Sequence, residues 1–219
     1  MRTILFAFIL LTAANVQAQR DKAEVDVLVA SVVKLVQQNG AESVFTFDSY
    51  CDGNIRMFIM SDGSRCTTKG TYHQVGVFYI QNGKPTVTVV DNCGIYNALE
   101  LEDSKVFDYY QQNKETLMTT GIKEYDTDVP YTEPKSRTAV YRCHREFGFY
   151  TDTSVRKATY SEYFLSNDPE HPNKNLEYNQ GHPLNQLDKM IAPILKAAEA
   201  EGKLKRLYKK VTGYHRQHL

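Results

Sequence analysis

The amino-acid sequence predicts an α+β fold, in which an antiparallel sheet of about five or six strands packs with an N-terminal helix and a C-terminal helical segment. Apolar residues recur at helical spacing near both ends of the chain. Between them lie apolar segments with strand-like alternation, separated by Asp-Gly or Asn-Gly turns. The composition of 42% hydrophobic and 24% charged residues is typical of a globular protein and argues against wholesale disorder.

The balance of charge excludes one class of function. Lys plus Arg and Asp plus Glu both number 26 among the 219 residues, so the formal net charge is zero. A protein whose whole surface serves nucleic-acid backbones carries a large positive excess. We therefore do not expect nucleic acid as a partner, although a local basic patch is compatible with this composition.

Residues 1–18 are predicted to be a secretory signal peptide. Arg2 gives a positive start, the apolar run TILFAFILLTAA follows, and Ala18 is the small residue after which the peptide would be cut. The run is about a dozen residues long, whereas a membrane-spanning helix needs roughly 20. We expect residues 19–219 to form a single α+β domain with a helical, basic C-terminal tail. The protein would be secreted or periplasmic, with no transmembrane segment after cleavage.

Helices are expected at both ends of the chain. Asp21 can cap the first helix, Glu24 completes a capping box, and the apolar spacing runs over residues 22–38. Gly40 is a natural stop. The other predicted helices are residues 104–118, a C-terminal helix over 184–198 that Pro193 kinks or splits, and a piece that starts at Gly202. Residues 119–136 and 166–181 are predicted loops.

The predicted strands follow the turn residues. Asp52-Gly53 is interpreted as a tight hairpin turn, which sets Phe47 opposite Phe58. Such apolar cross-strand pairs stabilise a sheet. The predicted strand segments are 44–47, 55–60, 71–80, 85–90, 137–150 and 153–165.

All four cysteines lie beyond the predicted signal peptide, and an even number in an exported chain predicts two disulfides. A two-residue turn at Asn82-Gly83 sets Phe78 opposite Val87. It also places Cys93 at the open end of that hairpin, where the chain arrives from Cys66. The favoured disulfides are Cys66–Cys93 and Cys51–Cys143, ahead of the other two pairings.

The strand over residues 137–150 carries a candidate binding surface. Cys143 and His144 are adjacent, which suggests a nucleophile beside its base, but neighbouring strand residues point to opposite faces. The imidazole would then be unable to take the thiol proton. We interpret Cys143 as structural, and Arg142, His144 and Glu146 as one polar face that could bind a partner.

The segment Tyr178-Asn179-Gln180-Gly181-His182, followed by Asn185, resembles the Gly-His core of the ββα-metal nucleases. In that family the His activates water and an Asn on the following helix holds a divalent metal. The family's Asp-Arg pair before the Gly-His is Asn179-Gln180 here. The resemblance implies an alternative function, an exported metal-dependent hydrolase or nuclease with His182 as the base and Asn185 as a ligand.

Asp168, Glu170 and His171 are further candidates for metal ligands within a polar loop. The Asp-Gly pairs at 52–53 and 62–63 lack the additional oxygen ligands that an EF-hand calcium loop requires at fixed spacing. We interpret these pairs as turns. The sequence predicts no metal site and no cofactor.

The remaining patterns favour recognition over catalysis. The chain has 15 Tyr and no Trp, and exposed aromatics can anchor a protein or a glycan. Basic residues interleave with apolar ones over residues 203–216, which predicts weak contact of this tail with a membrane surface. The sequence therefore predicts an exported binding or interaction protein of the cell envelope. Its partner would be an envelope protein or a glycan.

Overall fold

The computed structural model describes residues 21–129, 143–151 and 153–207, and the predicted signal peptide lies outside these residues. The elements in chain order are α1 (Lys22–Gln38), β1 (Glu42–Cys51), β2 (Met57–Ile59), β3 (Arg65–Thr67), β4 (Gln74–Gln81), β5 (Lys84–Asp91), β6 (Gly94–Glu100), α2 (Lys105–Gln112), α3 (Lys114–Thr119), β7 (Cys143–Tyr150), β8 (Val155–Ser161), a 3-10 turn (Glu162–Leu165), α4 (Leu176–Gly181) and α5 (Pro183–Ala200). They form the predicted α+β fold.

Six strands form one antiparallel sheet in the order β6-β5-β4-β1-β7-β8, and β2 and β3 form a separate hairpin. Alternation along β1 sends Phe45 and Phe47 to one face and Val44 to the other. The larger core cluster lies on the face covered by α2, α3 and α5, and the smaller one lies under α1. The sheet is therefore covered by helices on both faces.

Helix α1 has the bounds that the sequence predicts. The side chain of Asp21 accepts a hydrogen bond from the Glu24 amide, and the Glu24 side chain accepts one from the Asp21 amide. This reciprocal capping satisfies two amides that the first helical turn leaves unpaired. Its valines, from Val25 to Val36, pack against β1, β4 and β5.

One predicted hairpin is correct and another is wrong. Asn82-Gly83 joins β4 to β5 and sets Phe78 opposite Val87. Asp52-Gly53 does form a turn, but β1 does not pair with the segment that follows it. Instead Phe47 lies between Gly76 of β4 and Phe147 of β7. A central position lets β1 bury side chains on both faces, and a local turn cannot specify that pairing.

The second Asp-Gly pair makes the hairpin that the first does not. Across the turn the Gly63 amide donates to the Met60 carbonyl and the Met60 amide donates to the Ser64 carbonyl. Phe58 pairs with Cys66 rather than with Phe47. This β2–β3 hairpin lies outside the six-stranded sheet.

Two disulfides, Cys51–Cys143 and Cys66–Cys93, cross-link the chain, and they have the pairing that the hairpin geometry favours. Cys51 and Cys143 are directly opposite on β1 and β7. Cys66 and Cys93 fasten the β2–β3 hairpin to the end of β5. Two disulfides are compatible with an exported protein.

The structure differs from the prediction in four further places. Helix α4 occupies part of the segment that was expected to be loop, and β6 was not predicted at all. Pro193 lies inside α5 without splitting it. Residues 203–207 are not helical, because they run alongside β6 and bridge it between Tyr96 and Arg206. Among the residues that the structure describes, no helix has both the length and the apolar character needed to cross a bilayer.

Candidate ligand-binding site

A cavity of about 550 Å³ opens between β6, the start of α2 and the C-terminal half of α5. Small-molecule sites in proteins are typically about 300–1,000 Å³. The walls are mainly aliphatic, and they are formed by Val87, Leu99, Leu101, Val106, Met190, Pro193, Ile194 and Ala197. This apolar cavity could hold the hydrophobic part of a small molecule.

The walls are formed by apolar residues at helical spacing on α5 and at alternate positions near the end of β6. On α5, Met190, Ile194 and Ala197 recur at three- and four-residue spacing, so they form one helical stripe. Leu99 and Leu101 alternate at the end of β6 and face that stripe across the cavity. The C-terminal half of α5 therefore presents apolar side chains to the cavity.

The rim of the cavity is acidic. It is lined by four carboxylates and two ammonium groups. The carboxylates are those of Glu100, Glu102, Asp103 and Glu201, and the ammonium groups are those of Lys105 and Lys203. Lys105 pairs with Asp103, and Lys203 pairs with Glu201. Within the part of the chain that the structure describes, Glu102 has no ion-pair partner. Glu100 pairs with Lys84 at 2.8 Å, so the carboxylate of Glu102 is the net negative charge of the rim beside an apolar interior.

The predicted binding surface of Arg142, His144 and Glu146 is only partly described, because Arg142 lies outside the described residues. His144 and Glu146 share the α1 side of the sheet, where they pair with Tyr50 and Asp48 of β1. The imidazole of His144 stacks on the Tyr50 ring at 5.3 Å, and its Nε2 lies 3.3 Å from the Asp52 carboxylate.

Charged groups on this face are already paired with one another. The Glu146 carboxylate lies 3.5 Å from the Lys22 ammonium and 3.4 Å from that of Lys157. Burial works against the charge of Lys22, but the carboxylates of Asp26 and Glu146 outweigh it and raise the pKa of Lys22. The N-terminal turn of α1 thereby contacts part of the face.

Beneath this face lies a buried Asp–His pair that the sequence did not reveal. The Nδ1 atom of His73 lies 2.8 Å from Oδ2 of Asp48, and both side chains are buried. Oδ1 of Asp48 is buried and has no hydrogen-bond partner among the residues that the structure describes. The Tyr50 ring packs on His73 at 4.6 Å. Burial, with the nearby carboxylates of Glu146 and Asp48, raises the pKa of Tyr50.

His182 is the N-cap of α5 and is only 3% exposed. Its Nδ1 accepts a hydrogen bond from the Leu184 amide, so in the neutral ring the proton lies on Nε2, which donates to the Thr120 hydroxyl at 2.9 Å. Burial, and then the positive charge of Arg156, lower the pKa of His182. Both ring nitrogens are therefore used by the fold, and action as a base would require the helix cap to open.

Asn185 is also used internally. Its amide donates to the Gln180 carbonyl at 2.9 Å. One helical turn further, Asp188 makes a buried ion pair with Arg145 at 3.0 Å and accepts a hydrogen bond from Tyr160. The role of His182 and Asn185 in a nuclease stays a prediction.

The loop with the candidate metal ligands folds back on itself. The Asp168 carboxylate accepts a hydrogen bond from the Glu170 amide, and Nδ1 of His171 lies 3.2 Å from the Val129 carbonyl. Residues 21–129, 143–151 and 153–207 contain no group of three or more His, Cys, Asp or Glu side chains that could hold a metal ion.

A buried carboxylate anchors the start of the basic tail. Asp91 is fully buried and accepts hydrogen bonds from the Tyr72 hydroxyl, the Tyr96 hydroxyl and the Cys93 amide. It also pairs with the Arg206 guanidinium. Burial, and then the Asp91 charge, raise the pKa of both tyrosines. Arg206 is therefore a structural cation.

Comparison of the chain with protein-family models, with curated proteins and with solved structures finds no match. Function must therefore be argued from the geometry. The predicted polar residues that the structure describes are largely engaged by the fold. The cavity between β6 and α5, which sequence reasoning missed, combines room with an amphipathic lining. The apolar stripe on the C-terminal half of α5 was the available signal.

Proposed function

We propose that this protein is an exported, disulfide-stabilised binding protein that holds a small amphipathic molecule in the cavity between β6, α2 and α5. The observation that carries this proposal is an aliphatic cavity of about 550 Å³ with a polar rim. Apolar pockets with a few polar groups at one side are the usual form of ligand sites. Two disulfides and the predicted signal peptide support an exported location.

The rim indicates the charge of the ligand. Three carboxylates of the rim are paired with lysines, and the remaining one, Glu102, favours a cation over an anion at the entrance. The ligand would place its hydrocarbon part against Leu99, Val106 and Ile194, and a neutral or positively charged end near Glu102. A molecule with an anionic end would meet repulsion at the same place.

Displacement of a fluorescent hydrocarbon probe tests this proposal. We expect N-phenyl-1-naphthylamine to bind saturably, and decyltrimethylammonium to displace it at lower concentration than decanoate, which has a similar tail and the opposite charge. Both competitors are used below their micelle concentrations. The two compounds separate the contribution of the cavity from that of the rim.

A pair of matched variants locates the site. Ala197 is exposed and lines the cavity, so Ala197→Trp fills the space without disturbing the core and should weaken binding at least about 30-fold. Ala200→Trp places the same side chain three residues further on, at an exposed position that does not line the cavity, and should bind normally.

The possible outcomes are distinct. If probe binding is the same in both variants, the cavity is not the binding site. If decanoate displaces the probe better than decyltrimethylammonium, the argument from the rim is wrong even though the cavity binds. The chain has no Trp, so each variant also reports its own folding through the emission of a single tryptophan.

A further inference from the structure

The β2–β3 hairpin exposes an aliphatic row that the cavity does not use. The row consists of Ile55, Met57 and Ile59, which are 61%, 59% and 75% exposed. Alternate residues of a strand point to one side, so Met57 and Ile59 of β2 lie in line, and exposed Ile55 precedes them in the segment that leads into the strand. Isolated exposed hydrophobic residues are ordinary, but a contiguous set indicates a surface that another body covers.

The opposite side of the hairpin is fixed to the protein. Phe58 packs on Tyr72 at 5.6 Å and on the Arg206 guanidinium at 4.2 Å. The Cys66–Cys93 disulfide holds the second strand. These contacts keep the inner side of the hairpin in place, so the aliphatic row stays turned towards solvent.

Positive charge accompanies the row. Arg65 is directly opposite Ile59 on the paired strand, and Lys69 follows that strand; both are exposed. Neither makes an ion pair within the part of the chain that the structure describes. Of the nearby acidic side chains, Asp62 accepts hydrogen bonds from Ser64 in its own turn.

The described chain also ends beside the hairpin. Arg206 stacks on Phe58, and Leu207, the last described residue, is exposed. The sequence that continues from there, YKKVTGYHRQHL, contains two Lys and one Arg and no acidic residue. In the sequence, Lys209 and Lys210 follow Leu207 within three residues.

We propose that the aliphatic row docks onto an anionic phospholipid surface, with its side chains in the interface and the surrounding cations against the lipid phosphates. Aliphatic groups flanked by Lys and Arg are the combination that binds such surfaces. A second copy of the chain would bring like charges together. The C-terminal segment would do the same if it folded over Arg65 and Lys69. The row also lacks the aromatic anchors that dominate protein interfaces.

Sedimentation with vesicles tests the proposal on the purified protein with both disulfides formed. We expect binding to vesicles that contain phosphatidylglycerol, weak binding to phosphatidylcholine alone, and loss of binding in high salt. Arg65→Gln with Lys69→Gln should lower the partition coefficient about 30-fold. The control pair Lys114→Gln with Lys189→Gln removes the same charge from helix surfaces elsewhere and should lower it less than about threefold.

The apolar contribution has its own pair of variants. Met57→Ser with Ile59→Ser should reduce vesicle binding at least about tenfold. Val27→Ser with Leu35→Ser, at exposed positions of α1, should have no effect. Met57→Trp provides a measurement that does not rely on shortening the side chains of the row. Its emission should shift to the blue with anionic vesicles, whereas that of Val27→Trp should not.

Several results would overturn this assignment. Equal binding to neutral and anionic vesicles, or an unshifted Met57→Trp emission, would exclude lipid docking by the row. A concentration-dependent dimer that Met57→Ser with Ile59→Ser abolishes would identify the row as a self-association surface. Stronger vesicle binding after deletion of residues 208–219 would show that this segment covers the row.

Discussion

Removal of the Cys51–Cys143 disulfide should cost about 4 kcal/mol of unfolding free energy. The bridge closes a loop of 92 residues, within which the Cys66–Cys93 bridge already closes 27. The inner bridge shortens the outer loop to about 65 residues, for which the loss of chain entropy in the unfolded state gives about 4.3 kcal/mol. The same relation gives about 3.5 kcal/mol for the inner bridge.

Urea unfolding of Cys51→Ser with Cys143→Ser measures this cost. Because the bridge restrains the unfolded chain, its removal should also raise the denaturant dependence, since a more expanded unfolded state exposes more surface. Cys51→Ala with Cys143→Ala is the control for side-chain chemistry. Both cysteines are only partly buried, so the Ala and Ser pairs should be equally destabilised if the cross-link is the cause.

The reasoning from loop entropy is refuted if the Ser pair loses less than about 1 kcal/mol with an unchanged denaturant dependence. If the unfolding free energies of the Ser and Ala pairs differ by as much as the total effect, the cause is local packing and not the cross-link. Peptide mapping of the unreduced protein supplies a separate check, because a peptide that contains Cys51 should be linked to one that contains Cys143.

Three further predictions concern single positions. Below about pH 6.5 the unfolded chain takes up a proton that buried His182 resists, so the unfolding free energy should decrease as the pH is lowered. The decrease should be less steep in His182→Asn, which keeps a capping side chain. Gly76→Ala should cost about 1–3 kcal/mol in urea unfolding, because its Cβ would lie 2.7 Å from the Phe78 ring, whereas Gly121→Ala meets nothing within 4 Å and should cost little. Arg206→Met should lower the unfolding free energy by roughly 3 kcal/mol, because the buried Asp91 carboxylate loses its cation. A smaller loss would show that the three remaining hydrogen bonds are enough to stabilise the buried carboxylate.

Elements with strong local signals could be predicted from the sequence. Helix α1 was bounded correctly because the capping box and the valine spacing act within the segment itself. The β4–β5 hairpin followed from Asn82-Gly83, since a two-residue turn determines its own register. The pairing of β1 could not be predicted in this way. Its neighbours β4 and β7 are set by burial on two faces, which no local turn encodes.

The candidate site was harder to predict because it is assembled from distant segments. Residues near Leu99 and Ile194 meet only after the sheet and α5 have packed, so the stripe on α5 marks one wall of the cavity but no spacing in the sequence shows which segment faces it. Single polar residues such as His182 stand out in a sequence, yet the structure shows that its ring nitrogens serve a helix cap and a neighbouring hydroxyl. Polar residues that the sequence marks as candidates for catalysis therefore serve the stability of the fold.

The segment over residues 201–207 joins the two proposed surfaces. Glu201 and Lys203 lie at the rim of the cavity, and Arg206 extends from the same segment to Asp91 and to the ring of Phe58 in the hairpin. In Arg206→Met the segment keeps its backbone bonds to β6 but loses the ion pair, so local opening should become easier while the central sheet stays closed. Hydrogen exchange should therefore accelerate most in β2, β3 and residues 205–207, and in β1 and β4 only by the amount that the lower global stability accounts for. Uniform acceleration would mean that the Asp91 network stabilises the whole fold instead of fastening the hairpin and the tail.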